Sequence, residues 1–167
     1  MIIHGYAAIW QAGVKRDGSD AVHVYLRDSL RLAEGGIAAQ LFDQRIGHTN
    51  DGTLELGNAA IGLAFTLNIK GESAAASVRD VMGDEGWCCT NIATSPTQRP
   101  FWSSDDDRIH LYKEAELTGL SLLRRSADYS PAMAWLPDID LGRLGHRLVH
   151  VIRSWRRPRS RGSISHG

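Results

Sequence analysis

The sequence predicts an α+β fold in which strands dominate and helices are few. Three observations carry that prediction. Short runs of β-formers alternate with turn residues through the first half, residues 50 to 69 have a hairpin signature, and apolar residues recur at helical spacing over 138 to 155. The chain of 167 residues is long enough for one domain with a real core. A change of character near residue 136 divides it into a body, 1–136, and a basic tail, 137–167.

The elements follow in order. "IIHGYAAIW" (2 to 10) and "AVHVYL" (21 to 26) read as strands, with the turn-like "KRDGSD" between them. "DSLRLAEGG" reads as a short helix, capped by Asp28 or Ser29 and closed by Gly35 or Gly36. "IAAQLF" (37 to 42) reads as a further strand. In "NDGTLELGNAAIGLAFTLNI", Asn50, Asp51 and Gly52 form a turn, and "TLEL" and "LAFTLNI" alternate on either side of a second turn. That is a hairpin. "ESAAASVRDVMGDEG" is helical in composition, sets Val78, Val81 and Met82 on one face, and ends at Gly83 or Gly86.

The strand "EGWCCTNIAT" comes straight after that helix. Residues 96 to 108 read as a loop, in which Asp105, Asp106 and Asp107 suit a solvated turn better than a metal site. "IHLYKEAELTGLSLLRRS" (109 to 126) is long enough for two strands or one bent one. In the tail, Leu141, Leu144, Leu148, Val151, Ile152 and Trp155 share helical spacing, so 138 to 155 reads as an amphipathic helix weakened by Gly142 and Gly145.

Charge and cysteine content narrow the function classes. Nineteen basic and nineteen acidic side chains cancel, so the whole chain offers no net field to attract nucleic acid or an anionic membrane. The asymmetry is local. After Asp140 there are seven arginines and no acid, so "RSWRRPRSRG" is a basic patch suited to an anionic surface or to packaged nucleic acid, and equally to a solvated end. The only cysteines, Cys88 and Cys89, are adjacent, which strains a disulfide; in a strand they fill opposite faces. No signal-like segment opens the chain and no apolar run spans a bilayer, so a soluble protein made in a reducing compartment is expected, with no membrane partner.

The order of several motifs is more informative than any one of them. Gly5-Tyr6-Ala7, Ile46-Gly47, Gly52-Thr53-Leu54-Glu55-Leu56, Gly62-Leu63 and Glu116-Leu117-Thr118-Gly119-Leu120-Ser121-Leu122-Leu123 come in that sequence over about residues 3 to 135. In this the chain resembles the prohead (capsid maturation) serine proteases of tailed phages. The resemblance implies a herpesvirus-protease-like fold, a mostly antiparallel β-barrel flanked by helices. It also implies a serine nucleophile in a strand following a helix, and a histidine followed by aspartate shortly before the Ile-Gly. Both are needed, because a serine hydroxyl attacks a peptide carbonyl near neutral pH only when a base takes its proton.

At the implied nucleophile position this sequence has Asn91 or, shifted by one residue, Thr90, with Cys89 beside it. At the implied base it has Phe42 before Asp43, or Gln40 by another gap placement. No serine and no histidine is available, so both catalytic positions read as lost, and losing either costs several orders of magnitude in rate. The resemblance therefore implies a catalytically degenerate virion protein: a minor capsid, cementing or assembly component of the phage head, made in the host bacterial cytoplasm and binding the major capsid protein. The alternative is an active capsid-maturation protease using Thr90 or Cys89.

Contact candidates are Phe101, Trp102 and Trp135, with Arg153, Trp155, Arg156, Arg157, Arg159 and Arg161 of the tail, because aromatics and arginine are favoured in interface cores. Each aromatic could equally fill the chain's own core. For Trp102, in a polar loop, the interface is favoured. A homo-oligomer and a contact of the tail with packaged nucleic acid are compatible with this reading; no cofactor and no metal are expected. A purely nucleic-acid-binding function lacks an aromatic platform interleaved with basic residues in the body.

Overall fold

The computed structural model describes residues 1–15, 21–97, 99–125 and 132–139. The fold is mostly β, with one short α-helix among the described residues and a nearly closed, barrel-like sheet. The tail helix and the arginines expected of it, Arg153, Arg156, Arg157, Arg159 and Arg161 together with Trp155, lie outside the described residues, as do residues 16 to 20 of the first turn.

The strands are β1 (Ile2–Ile9), β2 (Gly13–Lys15), β3 (Val22–Tyr25), β4 (Leu30–Leu32), β5 (Ala38–Leu41), β6 (Gln44–His48), β7 (Leu54–Asn58) and β8 (Gly62–Asn68), then β9 (Trp87–Thr94), β10 (Trp102–Ser103), β11 (Ile109–Tyr112), β12 (Ala115–Leu123) and β13 (Met133–Trp135). The helix α1 (Glu72–Met82) separates β8 from β9. Nine strands form one sheet in the order β6-β5-β12-β9-β13-β1-β8-β7, with β4 added beside β12. The other four form a second sheet, β10-β11-β3-β2. Most pairings are antiparallel; β12 pairs parallel with β4 and β5, and β11 with β3.

The large sheet curls until its two ends approach. The His48 backbone N–H donates to Thr53 Oγ1 at 2.8 Å, and Asn68 N–H donates to the Thr53 carbonyl at 2.7 Å. Inside lie Ile3, Leu41, Leu54, Leu67, Leu117, Leu120 and Leu122, all fully or almost fully buried. The apolar stripe of α1, with Ala74, Ala75, Val78, Val81 and Met82, joins the same core and follows from the 3.6-residue period of that segment. Gly83 stops the helix, its N–H returning to the Arg79 carbonyl at 2.8 Å. The small sheet is tied on through the buried rings of Tyr25 and Tyr112, which belong to the same core.

Two sequence expectations are corrected here. "DSLRLAEGG" is not a helix. Asp28 takes φ 59, Ser29 N–H closes a turn onto the Leu26 carbonyl, and Leu30–Leu32 then runs parallel to Ala115–Leu117. That non-local partner outweighs the local capping signal. Residues 96 to 108 are also not all loop, since Trp102 and Ser103 pair with Leu111 and His110.

Candidate functional site

The positions at which catalytic groups are implied come from β9 and from the β5–β6 turn. Thr90 is fully buried; its hydroxyl donates to the Tyr6 carbonyl at 2.6 Å, and its N–H donates to the Ala132 carbonyl at 3.0 Å. Asn91 is half-buried and its Oδ1 accepts from the Ile92 N–H at 2.9 Å. Cys88 and Cys89 are both buried. Loss of water around Cys88, helped by neighbouring Cys89, pushes that thiol from its ordinary 9.0 up to about 12, so it holds its proton at neutral pH.

Phe42 and Asp43 are the two residues of the tight turn that joins Leu41 to its partner Gln44. Phe42 is 67% exposed and has φ 53. Its strand does not lie beside β9. Strand β12 lies between them: Gln40, Ser121 and Asn91 form one row, and Leu41, Leu122 and Thr90 the next. Two strand spacings, about 10 Å, therefore separate the implied positions. Neither Phe42 nor Gln40 carries a base that could take a proton from Thr90 or Asn91.

The histidines have other partners. His4 Nδ1 meets Thr66 Oγ1 at 3.2 Å, and His48 Nδ1 accepts from the Asn50 N–H at 3.0 Å. His23, buried, has Nδ1 3.0 Å from the Tyr112 hydroxyl and its ring 5.2 Å from that of His110. His110 Nδ1 lies 2.8 Å from Ser103 Oγ and 3.7 Å from Asp107 Oδ1.

Sequence reasoning missed this serine–histidine pair. The signal was the β10–β11 hairpin itself, which sets residues 103 and 110 opposite each other. The trio is not a catalytic triad, because a triad needs the carboxylate on one ring nitrogen and the serine on the other. Here both face Nδ1, so the carboxylate does not orient the ring toward the serine. The aspartate run is organised by local bonds: Ser104 Oγ donates to Asp106 Oδ1 at 2.6 Å and accepts from the Arg108 and Ile109 N–H groups. The Ser104 hydroxyl, with the Arg108 N–H, holds the Asp106 carboxyl below the usual carboxylate range.

The small sheet has two unlike faces. Strand alternation and register place Ser103, His110, His23, Tyr25 and Tyr112 on the inner side, where Tyr25 and Tyr112 stack at 5.3 Å. On the outward side lie Trp102, Leu111, Ile109, Val22 and Val24, apolar and none of them buried, with Gly13 and Lys15 of β2 in the same rows at the sheet's edge. Trp102 is 52% exposed and Ile109 43%. Phe101 is also exposed, with Lys113 Nζ 3.4 Å from its ring centroid.

The contact candidates do not form one surface. Trp135 is half-buried, its ring 5.9 Å from Tyr6, in a shallow outer groove of about 380 Å³ also lined by His4, Thr66 and Glu55. It lies with Phe42 toward the end of the barrel where β12 finishes, whereas Phe101 and Trp102 lie toward the end where β12 begins. No protein-family model matches the chain, and neither does any curated protein or solved structure.

Proposed function

We propose that the chain is a non-catalytic component of a phage head, built on a degenerate prohead-protease fold of the herpesvirus-protease type and retained for binding the major capsid protein. The order of its motifs and its mostly antiparallel, barrel-like sheet support the fold relationship. One observation carries the binding reading. Phe42, where the resemblance implies a catalytic histidine, is an aromatic at positive φ on a turn tip and is 67% exposed.

A positive φ costs a bulky residue about 1 kcal/mol or more relative to glycine or asparagine. So exposed a ring gains little from its own core in return. A strained, solvent-facing aromatic is accounted for by a surface outside the chain, and a protein that once recognised capsid subunits as substrates keeps such a surface after its chemistry is lost. The arginines of residues 143 to 161 suit an acidic capsid surface or packaged nucleic acid, and either contact weakens with salt.

Co-expression with the major capsid protein of the same phage is the test. The expected outcome is co-purification without a new capsid-protein terminus by mass spectrometry, with Thr90→Ala and Cys89→Ser behaving like the parent. Phe42→Asn should weaken the association by about tenfold, the effect of losing one interface aromatic. A processed terminus that disappears in either the Thr90 or the Cys89 variant establishes the protease reading instead.

A further inference from the structure

The outward face of the small sheet is a contiguous apolar surface that the described residues leave uncovered. Trp102, Ile109, Leu111, Val22 and Val24 line it, with Lys15 level with Val22 at the β2 edge, and a sheet normally buries such a face against another layer. At one edge stand Asp105, Asp106 and Asp107, exposed at the tip of the β10–β11 hairpin, with Arg108 beside Asp106 at 3.6 Å. The complement of this surface is an apolar stripe flanked by cations. The chain's own sequence contains one: Leu141, Leu144, Leu148, Val151, Ile152 and Trp155 share helical spacing among Arg143, Arg147, Arg153 and Arg156.

Topology decides which copy supplies it. Trp135 pairs with Trp87, and Leu136 N–H donates to the Gly86 carbonyl, so the described chain leaves the barrel at the Trp87 end of β9. The small sheet joins at the other end of that strand, where Ser95 N–H meets the Glu116 carbonyl and β12 follows β11. Eight residues of strand, about 26 Å, separate the two ends. From Ile139 to Leu141 the chain reaches only about 7 Å. Leu141 and Leu144, at most about 17 Å of chain from Ile139, cannot reach their own sheet, so the stripe as one unit can lie only on the sheet of a neighbouring molecule.

We propose that the outward face of the β10-β11-β3-β2 sheet is the docking surface for residues 141–156 of a second copy of this chain. The contact is heterologous, tail to face, so it builds rings or open strings of copies rather than closing as a symmetric pair. It requires no capsid protein and stands or falls separately from the capsid reading.

The experiment uses the full chain by sedimentation. The parent should show a mass that rises with concentration above that of the monomer. Trp102→Asp, at an exposed position on a two-residue strand, and Leu148→Asp, in the tail, should each weaken association by at least about tenfold, as burying an unpaired charge in an interface core does. An equimolar mixture of the two variants should form a heterodimer and nothing larger, because one supplies an intact tail and the other an intact face. Ile109→Glu should reproduce the Trp102→Asp result, and circular dichroism of each variant reports that it is folded. A monomeric parent overturns the proposal. So does a mixture that stays monomeric while both variants are folded, or a Leu148→Asp chain that associates like the parent, which signals face-to-face pairing.

Discussion

Cys88 shows how one buried side chain decides between chemistry and packing. A thiol raised to about 12 is almost wholly protonated at neutral pH, and Cys88 belongs to the main apolar core. The same shift makes a pH prediction. The folded value lies above the ordinary 9.0, so between the two the folded chain keeps a proton that the unfolded chain has released. The contribution of Cys88 to stability is therefore complete below about pH 9 and falls as pH rises toward 12. Lysines and tyrosines titrate in the same window, so the comparison is with Cys88→Ala. Urea unfolding midpoints between about pH 8 and about pH 11 should fall more steeply for the parent than for the variant. Parallel slopes would show that the thiol is not desolvated as the structure has it.

At the scale of the element, the β5–β6 hairpin has the clearest conflict between residue and backbone. Its two-residue turn puts Phe42 at φ 53, at the first central position, where a positive φ favours glycine. Phe42→Gly and Phe42→Asn should each raise stability by about 1 kcal/mol, measured by denaturant unfolding, because little packing is lost and strain is relieved. A loss of stability would mean that the ring packs on its own chain. The hairpin β7–β8, the helix α1 and the cysteine strand were legible in the sequence because each has a strong local period or a turn with defined chemistry. Strand β4 was not legible, since Asp28, Ser29 and two later glycines imitate helix caps, and its parallel partner Ala115–Leu117 is more than eighty residues away. The same limit hid the candidate site. That β12 separates Gln40 from Asn91 is a fact of strand order, and no local pattern in either strand records it.

For the whole molecule, the decisive step is the approach of the two ends of the large sheet. Strands β6 and β7 end the strand order, and what brings β6 onto the core is Gly47: a Cβ there would fall on Leu67 Cδ1, with Thr53 Oγ1 3.2 Å away. Leu67 is fully buried, so it has no free direction in which to retreat. Gly47→Ala should therefore cost about 1–3 kcal/mol as overpacking, although the change adds one methyl group to a strand and no polar atom. Leu67→Ala alone should cost about 2–5 kcal/mol through the cavity that it leaves. If closure works through this one contact, the two substitutions cannot add, since the new methyl enters the space vacated by the leucine. The double variant should then be at least about 1 kcal/mol more stable than the sum of the single losses predicts. Gly119→Ala is the control, because a Cβ there meets Ala93 Cβ at an ordinary 3.5 Å and should cost little. Additive losses at Gly47 and Leu67 would mean that the sheet ends approach for some other reason, and the barrel-like closure would have to be traced to the bonds around Thr53.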